Sequence, residues 1–350
     1  MTLNRRLRPS SDDPGLRLWN VGLVLALAFL AALVVAAAVF YTGWDLLGAR
    51  GLKSERRIDS KTLFDLVKLS FGVVAGSGAL VALVVAYRRQ RVDEAGAYRE
   101  ATRLHTERFS QAVEQLGSDS PAVQLGGVHA LAGLADDAPD VSLRQTCIDV
   151  LCAYLQLPFT PDPGPSYQEE HHRYLALRKV RRTILRLIGD HYRRPQGSHR
   201  SWQGCDLDLT GVIIDGRLDF RGATFSGGVV SFEDATFAGG TVSFEDARFS
   251  GGRVFFDSAM FVGSTVFFDS AGFVSGTVSF DSAGFVSGTV SFDSAMFVGS
   301  TVFFDSAAFS GSEVSFSDAM GSRPRGLLDA VGAPVPATVR LPGAWLSMNP

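Results

Sequence analysis

Hydrophobic and polar positions follow three rhythms along the chain, and each predicts a different kind of structure. The first is unbroken: residues 21–41 and 69–87 run for twenty-one and nineteen positions without a charge, dominated by Leu, Ala and Val. Helices of that length cross roughly 30 Å of bilayer hydrocarbon, so two membrane-spanning helices are expected rather than a cleaved leader. The second rhythm, from about residue 93 to 190, repeats at three and four, as in Val123, Leu125, Val128, Leu131 and Leu134, and predicts amphipathic helices. Ser118-Asp119-Ser120-Pro121 opens one, Asp136-Asp137-Ala138-Pro139 closes it, and residues 143–157 form the next before Pro158. Beyond a Pro-rich linker at 161–165, a helix over about 168–192 keeps Leu177, Val180, Ile184, Leu187 and Ile188 on one face.

The third rhythm fills residues 223–320, where a twelve-residue unit, A-x-F-x-G-G-T-V-S-F-[ED]-[DS], recurs eight times. Phe225, Phe237, Phe249, Phe261, Phe273, Phe285, Phe297 and Phe309 fall twelve apart, and Phe232, Phe244, Phe256, Phe268, Phe280, Phe292, Phe304 and Phe316 each follow seven later. A small or branched apolar residue stands two before each ring, Ala235 before Phe237 and Val242 before Phe244, and residues two apart in extended chain share a face. All sixteen are therefore expected as core, in two aromatic columns, each ring contributing about 1.5–3 kcal/mol by burial. Gly251-Gly252 and Glu245-Asp246 exemplify the corners, so the chain should coil into a solenoid of stacked units.

The tandem [AV]-x-F-x-x pattern, with the stricter step Leu218-Asp219-Phe220-Arg221-Gly222 before Ala223-Thr224-Phe225, resembles the pentapeptide-repeat family over roughly 205–320. That resemblance implies a right-handed quadrilateral β-helix. With four faces to a turn, one turn takes two of the twelve-residue units, because a single-unit turn would force two rings into a very thin interior. The middle helices resemble HEAT or armadillo hairpins. The spans, the stretch beginning Ala112-Val113-Glu114-Gln115-Leu116-Gly117-Ser118, and Ser201-Trp202-Gln203-Gly204-Cys205-Asp206-Leu207 leading into the repeats are together similar to membrane-anchored pentapeptide-repeat proteins of actinobacteria.

Charge then singles out two surfaces. Glu233, Glu245, Asp257, Asp269, Asp281, Asp293 and Asp305 share one position of the unit, and between residues 233 and 318 eleven acidic residues face two basic ones, Arg248 and Arg253. Stacking makes one or two carboxylate columns, in which neighbours about 4.8 Å apart repel by about 0.9 kcal/mol in bulk water. Such a column is either a solvated corner or a surface for a cationic partner. The resemblance extends the second reading to imitation of the DNA backbone, since some pentapeptide-repeat proteins bind DNA gyrase. On the 168–192 helix, Arg178, Lys179, Arg181, Arg182 and Arg186 are a solvated face, a contact for anionic lipid or a partner, or a counter-charge for the chain's own acidic solenoid; direct nucleic-acid binding ranks behind these.

Composition changes little by itself: a net charge of −3 and 46% hydrophobic residues fit one or two soluble domains, a picture that the uncharged stretches overturn. Nine Arg flanking the outer ends of those stretches (Arg5, Arg6, Arg8, Arg17, Arg88, Arg89, Arg91, Arg99, Arg103) against Arg50, Lys53, Arg56, Arg57 and Lys61 in the connecting loop lean both termini to the cytoplasm. Gly72 and Gly76 stand at a spacing that lets membrane helices pair, in one chain or a homodimer. Cys147, Cys152 and Cys205 read as buried thiols, His171-His172 beside Glu169-Glu170 as a weak metal cluster, and no motif proposes a catalytic residue, cofactor or metal.

The expected organisation is a basic segment (1–20), a first span (21–41), a loop (42–68), a second span (69–87), an α-helical domain (88–200), a β-helix (201–320) and a cap or tail (321–350). The expected function is that of a non-enzymatic, membrane-tethered scaffold for an unidentified protein, with a DNA-mimicking regulator of an enzyme such as gyrase as the alternative.

Overall fold

The computed structural model describes residues 60–159 and 162–347, together with Leu30, Val34, Ala37, Ala38, Tyr41, Thr42 and Asp45. It divides into two compact units, residues 1–99 and 100–350. The basic segment 1–20 lies outside the described residues, as does the first expected span apart from Leu30, Val34, Ala37, Ala38 and Tyr41.

The second expected span falls within α1 (Ser60–Leu116), a helix of 57 residues. Among the described residues no helix is long and apolar enough to cross a membrane. The expected pair of spanning helices, and the two-span placement in a membrane, are corrected accordingly. The uncharged stretch 69–87 does not form an element of its own: Gly72, Gly76, Ser77 and Gly78 interrupt its apolar side chains, and the same helix runs on through Arg88, Arg89, Arg91, Asp93 and Glu94. Leu69, Phe71, Leu83 and Val85 stand exposed along it, and nothing lies within 4 Å of where a Cβ would sit at Gly72, Gly76 or Gly78. The inferred orientation of the termini and the span-to-span pairing rested on the two spans and fall with them.

In the second unit, α2 (Pro121–Asp136), α3 (Val141–Gln156) and α4 (Gln168–Tyr192) pack through Val128, Leu131, Ile148, Leu151, Val180, Ile184 and Ile188, all buried. Pro121 occupies the first turn of α2, where its missing N–H costs nothing, and the Asp140 side chain caps α3 by accepting from the Leu143 amide at 2.8 Å. The end of α1 meets α2 at Gly127, where a Cβ would lie 2.5 Å from the Leu116 nitrogen.

From Leu207 onward the chain coils into a solenoid of two parallel sheets. Gly272 pairs with Met296 on one side and Arg248 on the other, so a turn takes twenty-four residues, two units. The first coil is a residue shorter, Leu207 pairing with Val230. In the central coils each unit supplies one eight-residue strand: Arg248–Phe255 and Gly272–Ser279 in one sheet, Met260–Phe267 and Gly284–Ser291 in the other. The register slips between Phe273 and Thr277, so the two extra residues around the glycine are absorbed as a bulge that bends the strand into two faces.

At the opposite corner the turn is tight. The Ala271 amide donates to the Phe268 carbonyl at 3.0 Å, and Ser270 between them has φ 56°, in the left-handed region. Asp234, Asp246, Ser258, Ser282, Ser294, Ser306 and Asp318 repeat that conformation every twelve residues. Three are Asp, which visits positive φ more readily than most residues, and five are Ser, whose side chain is short and unbranched at Cβ.

The interior is aromatic. Because a turn holds two units, the rings form four columns rather than two: Phe249 stacks on Phe273 at 4.8 Å, Phe256 on Phe280 at 4.7 Å, Phe261 on Phe285 at 4.9 Å and Phe268 on Phe292 at 4.7 Å, with planes within 5° of parallel. Those separations are the spacing of adjacent strands, about 4.7–4.9 Å, so backbone and ring stacking share one repeat. Fifteen of the sixteen are buried; Phe309, the last ring of its column, is partly exposed.

Both ends of the array are closed. At the start, Tyr192 of α4 sits edge-on to Phe220 at 5.6 Å, and Gly189 lets the helix approach so near that a Cβ would be 2.5 Å from the Asp219 carbonyl oxygen. At the other end α5 (Leu327–Val331) and α6 (Gly343–Ser347) follow the last coil, the strand Val339–Arg340 pairs with Glu313–Ser315, and buried Trp345 meets Phe297 and Phe316 edge-on at 5.6 and 5.7 Å.

Replacing Phe280 by Ala is expected to cost about 3–5 kcal/mol and replacing Phe309 clearly less, measured by chemical denaturation. Equal losses would contradict the burial difference between the middle and the end of a column. Ser282→Val, a β-branched residue in the left-handed region, should destabilise by about 1–3 kcal/mol in the same assay.

Candidate functional site

The acidic position forms two ladders at the two tight corners of each turn. One holds Glu233, Asp257, Asp281 and Asp305; the other holds Glu245, Asp269 and Asp293 and ends at Ser317. The carboxylates are tied into the coil. Asp281 accepts from the Asp305 amide one turn later at 2.8 Å, Asp293 from the Ser317 amide at 2.9 Å, and Asp269 from the Asp293 amide at 3.2 Å. Serines two positions ahead add to this: Ser315 Oγ donates to Asp293 at 2.5 Å, and Ser291 Oγ donates to Asp269. The glutamates are held differently, Glu245 accepting from Ser243 Oγ within its own coil at 3.0 Å. Asp257, Asp269, Asp281, Asp293 and Glu245 are half-buried, whereas Glu233 and Asp305 are exposed.

Burial raises the carboxyls of Asp269 and Asp281 above the usual range; their hydrogen bonds partly offset this, and the neighbouring ladder charges add to it. The unit thus uses Asp as a structural acceptor, through one carboxylate oxygen. Together the ladders are an anionic strip on each of two edges.

The basic residues of α4 are mostly engaged with the first coil. Arg178 donates to Asp215, and Arg182 donates to the Asp215 carbonyl at 2.8 Å. Arg181 departs from a solvated face altogether: it is buried, donates to the Leu155 carbonyl at 2.7 Å and lies over the Phe159 ring at 4.6 Å, and desolvation lowers its pKa. Arg186 pairs with Asp190 one turn along at 2.8 Å, and Lys179 is exposed.

Between α4 and the coil lies an open cavity of about 530 Å³. Lys179, Arg182, Arg186, Arg193, Arg217 and Arg221 line it, with Thr183 and two carboxylates, Asp190 and Asp219. Asp219 accepts from Arg221 at 2.8 Å, Arg217 at 3.0 Å and Arg193 at 3.2 Å. Burial alone would push its carboxyl up, but the hydrogen bonds from Arg221 and the charges of Arg193 and Arg221 outweigh it and hold it at about 2. Arg217 and Arg221 carry no signal in the helix pattern. They are legible only in the alternation Arg217-Leu218-Asp219-Phe220-Arg221, which puts all three charges on the outer face of one strand.

The remaining candidates are structural. Burial pushes the Cys147 thiol up to about 11 and that of Cys152 to about 12, and raises Cys205, the opposite of what a nucleophile needs. His171 Nδ1 lies 2.6 Å from Asp162, with the His172 ring 6.3 Å from its own, and among the described residues no three metal-ligating side chains converge.

Asp269→Asn keeps the acceptor for the Asp293 amide while removing the charge. Since the folded-state pKa of Asp269 and Asp281 is raised, their contribution favours the fold below the unfolded pKa, near 3.9, and is lost as pH rises through the folded value. The double variant with Asn at 269 and 281 should therefore lose less thermal stability than the parent as pH rises from about 3.9 to neutrality; an unchanged slope would rule the two carboxyls out as its source. Asp219 has the opposite sign: its contribution is complete above about 3.8 and is lost as pH falls toward 2, so Asp219→Asn should blunt acid unfolding of the parent.

Residues 209–260 match the family model described as Pentapeptide repeats (9 copies). No curated protein and no solved structure matches the chain. The matched segment lies wholly inside the solenoid and bears on the repeats alone, not on membrane anchoring or an actinobacterial kind. The chain thus combines an α-helical region with a C-terminal pentapeptide-repeat β-solenoid, a fold of the protein-interaction type.

Proposed function

We propose that this chain is a non-enzymatic interaction scaffold whose solenoid offers its two carboxylate ladders to a cationic protein surface. The observation that carries this reading is the combination of rigidity and charge. Coil is fixed to coil by backbone pairing and ring stacking, and from Asp257 onward by the Asp-to-amide bonds as well, so the carboxylates are presented at a fixed pitch with little ordering left to do on binding. Filled by side chains, the solenoid interior leaves no pocket in which unlike catalytic groups could converge.

A DNA-mimicking regulator of a DNA-binding enzyme is the competing reading. Two ladders at about 4.8 Å per step carry about one charge per 2.4 Å, thinner than the one per about 1.7 Å of duplex DNA, and this favours the scaffold.

The test uses Asn at 257, 269, 281, 293 and 305, which neutralises the Asp positions of both ladders and preserves the acceptors. Proteins retained by the immobilised full chain and eluted by salt are expected to drop at least tenfold with the neutralised variant, its circular dichroism being unchanged. Retention of the same partner by that variant would sink the proposal, and displacement of the partner by duplex DNA would favour mimicry.

A further inference from the structure

The cavity between α4 and the first coil holds more positive charge than the fold can use. Six cationic side chains line it against two carboxylates. Asp190 is shared by Arg186 and Arg193, and Asp219 by Arg193, Arg217 and Arg221, which leaves an excess of about four charges gathered around one opening. Lys179 has no carboxylate within ion-pair distance among the described residues, and the buried Arg182 Nε, 3.7 Å from the Asp215 carboxylate, makes no hydrogen bond. Like charges so placed repel one another, a cost that packing α4 on the coil does not require, because Arg178, donating to Asp215, and Arg181, donating to the Ile213 carbonyl at 3.4 Å, already secure that contact.

The walls are also set in advance. Gly189 brings α4 against the Asp219 backbone, and Gly216 makes room for Arg182, whose Nε would lie 2.9 Å from a Cβ there. Asp219, ionised down to about pH 2, holds the Arg217 and Arg221 guanidinium groups in place while leaving donors unspent. Planar guanidinium forks bind phosphate oxygens in bidentate fashion, and a lysine adds a mobile point charge. At about 530 Å³ the space lies within the range of small-molecule sites. Its lining contains no aromatic ring on which a base could stack, so it suits the phosphates of a ligand rather than an organic ring.

We propose that this cavity binds a small soluble polyphosphate, or the polyphosphate moiety of a phosphoester, through Lys179, Arg182, Arg186, Arg193, Arg217 and Arg221. This does not rest on the scaffold reading, since it concerns the cations of α4 and the first coil rather than the carboxylate ladders.

The experiment is titration calorimetry on the full chain with inorganic triphosphate, with sulfate at equal ionic strength as the reference anion. Parent protein should bind one triphosphate saturably and at least tenfold more tightly than sulfate. Lys179→Gln combined with Arg186→Gln, both exposed positions, should weaken binding at least tenfold with the melting temperature of the free protein unchanged or raised. Arg248→Gln, on the solenoid away from the cavity, should leave binding as it is. Should the double variant fail to fold, Arg217→Gln carries the same expectation. Three outcomes overturn the proposal: no saturable heat with triphosphate, binding indifferent to the cavity substitutions, or uptake only by vesicles of anionic phospholipid with none of soluble triphosphate.

Discussion

Everything in the solenoid depends on the register in which one coil lies on the next. Parallel strands fix the rise at about 4.8 Å, and once twenty-four residues make a turn, each side chain meets the chemically equivalent one above it. Identity of neighbours is an advantage for phenylalanine, whose rings stack in parallel at the strand spacing. For aspartate it would be a liability, and the chain meets it by turning Asp257, Asp269, Asp281 and Asp293 into acceptors for the amide of the next coil. The left-handed Ser or Asp at each tight corner is part of the same constraint, since the turn must return the chain to the same register every time.

A stack of identical coils has two open ends, and each would template further strands. The two closures differ because their materials differ. At the start α4 supplies Tyr192 as a lid over the phenylalanines and guanidinium groups for Asp215 and Asp219, so the first coil is closed by an ion-paired helix. At the other end Trp345 plays the aromatic part, its Nε1 donating to the Gly321 carbonyl at 3.1 Å, and a two-residue strand takes up the last ladder of backbone groups. With an aromatic seal at each end, fifteen of the sixteen rings are buried, and the partly exposed one, Phe309, is the last of its column.

How much of this was legible follows from what repeats. Phe, Val and Ala positions, the acidic position and the coil length could all be read, because a fixed period turns local pattern into spatial stacking. Reading two ring columns instead of four came from counting columns per unit, whereas two units share a turn. Non-repeating contacts were not legible. Arg181 looks like one of several exposed cations on α4, yet it is buried against Leu155, because the face it occupies is decided by the docking of α4 on a distant part of the sequence. The cavity had the same difficulty, as Arg186 and Arg217 belong to different elements and no periodicity relates them. The uncharged stretch 69–87 misled for another reason: hydropathy was read within a window, whereas the helix that contains it extends to Leu116 and is charged over its second half.

The acidic position also shows why charge in a repeat is weak evidence of a partner by itself. A carboxylate that accepts an amide from the next coil would be retained for folding alone, and the Asp-Ser pairs at 269 and 291 and at 293 and 315 show the coil using it in that way. What separates function from architecture is the part of the pattern that folding does not demand. Asn or Ser would accept the same amide without repulsion, and Ser317 does occupy the ladder position after Asp293. The chain nevertheless places an acid at seven successive units, where burial and neighbouring charge raise the pKa of Asp269 and Asp281 against it. A charge kept where a neutral residue could accept the same amide is the feature of the solenoid on which the proposed cationic partner rests.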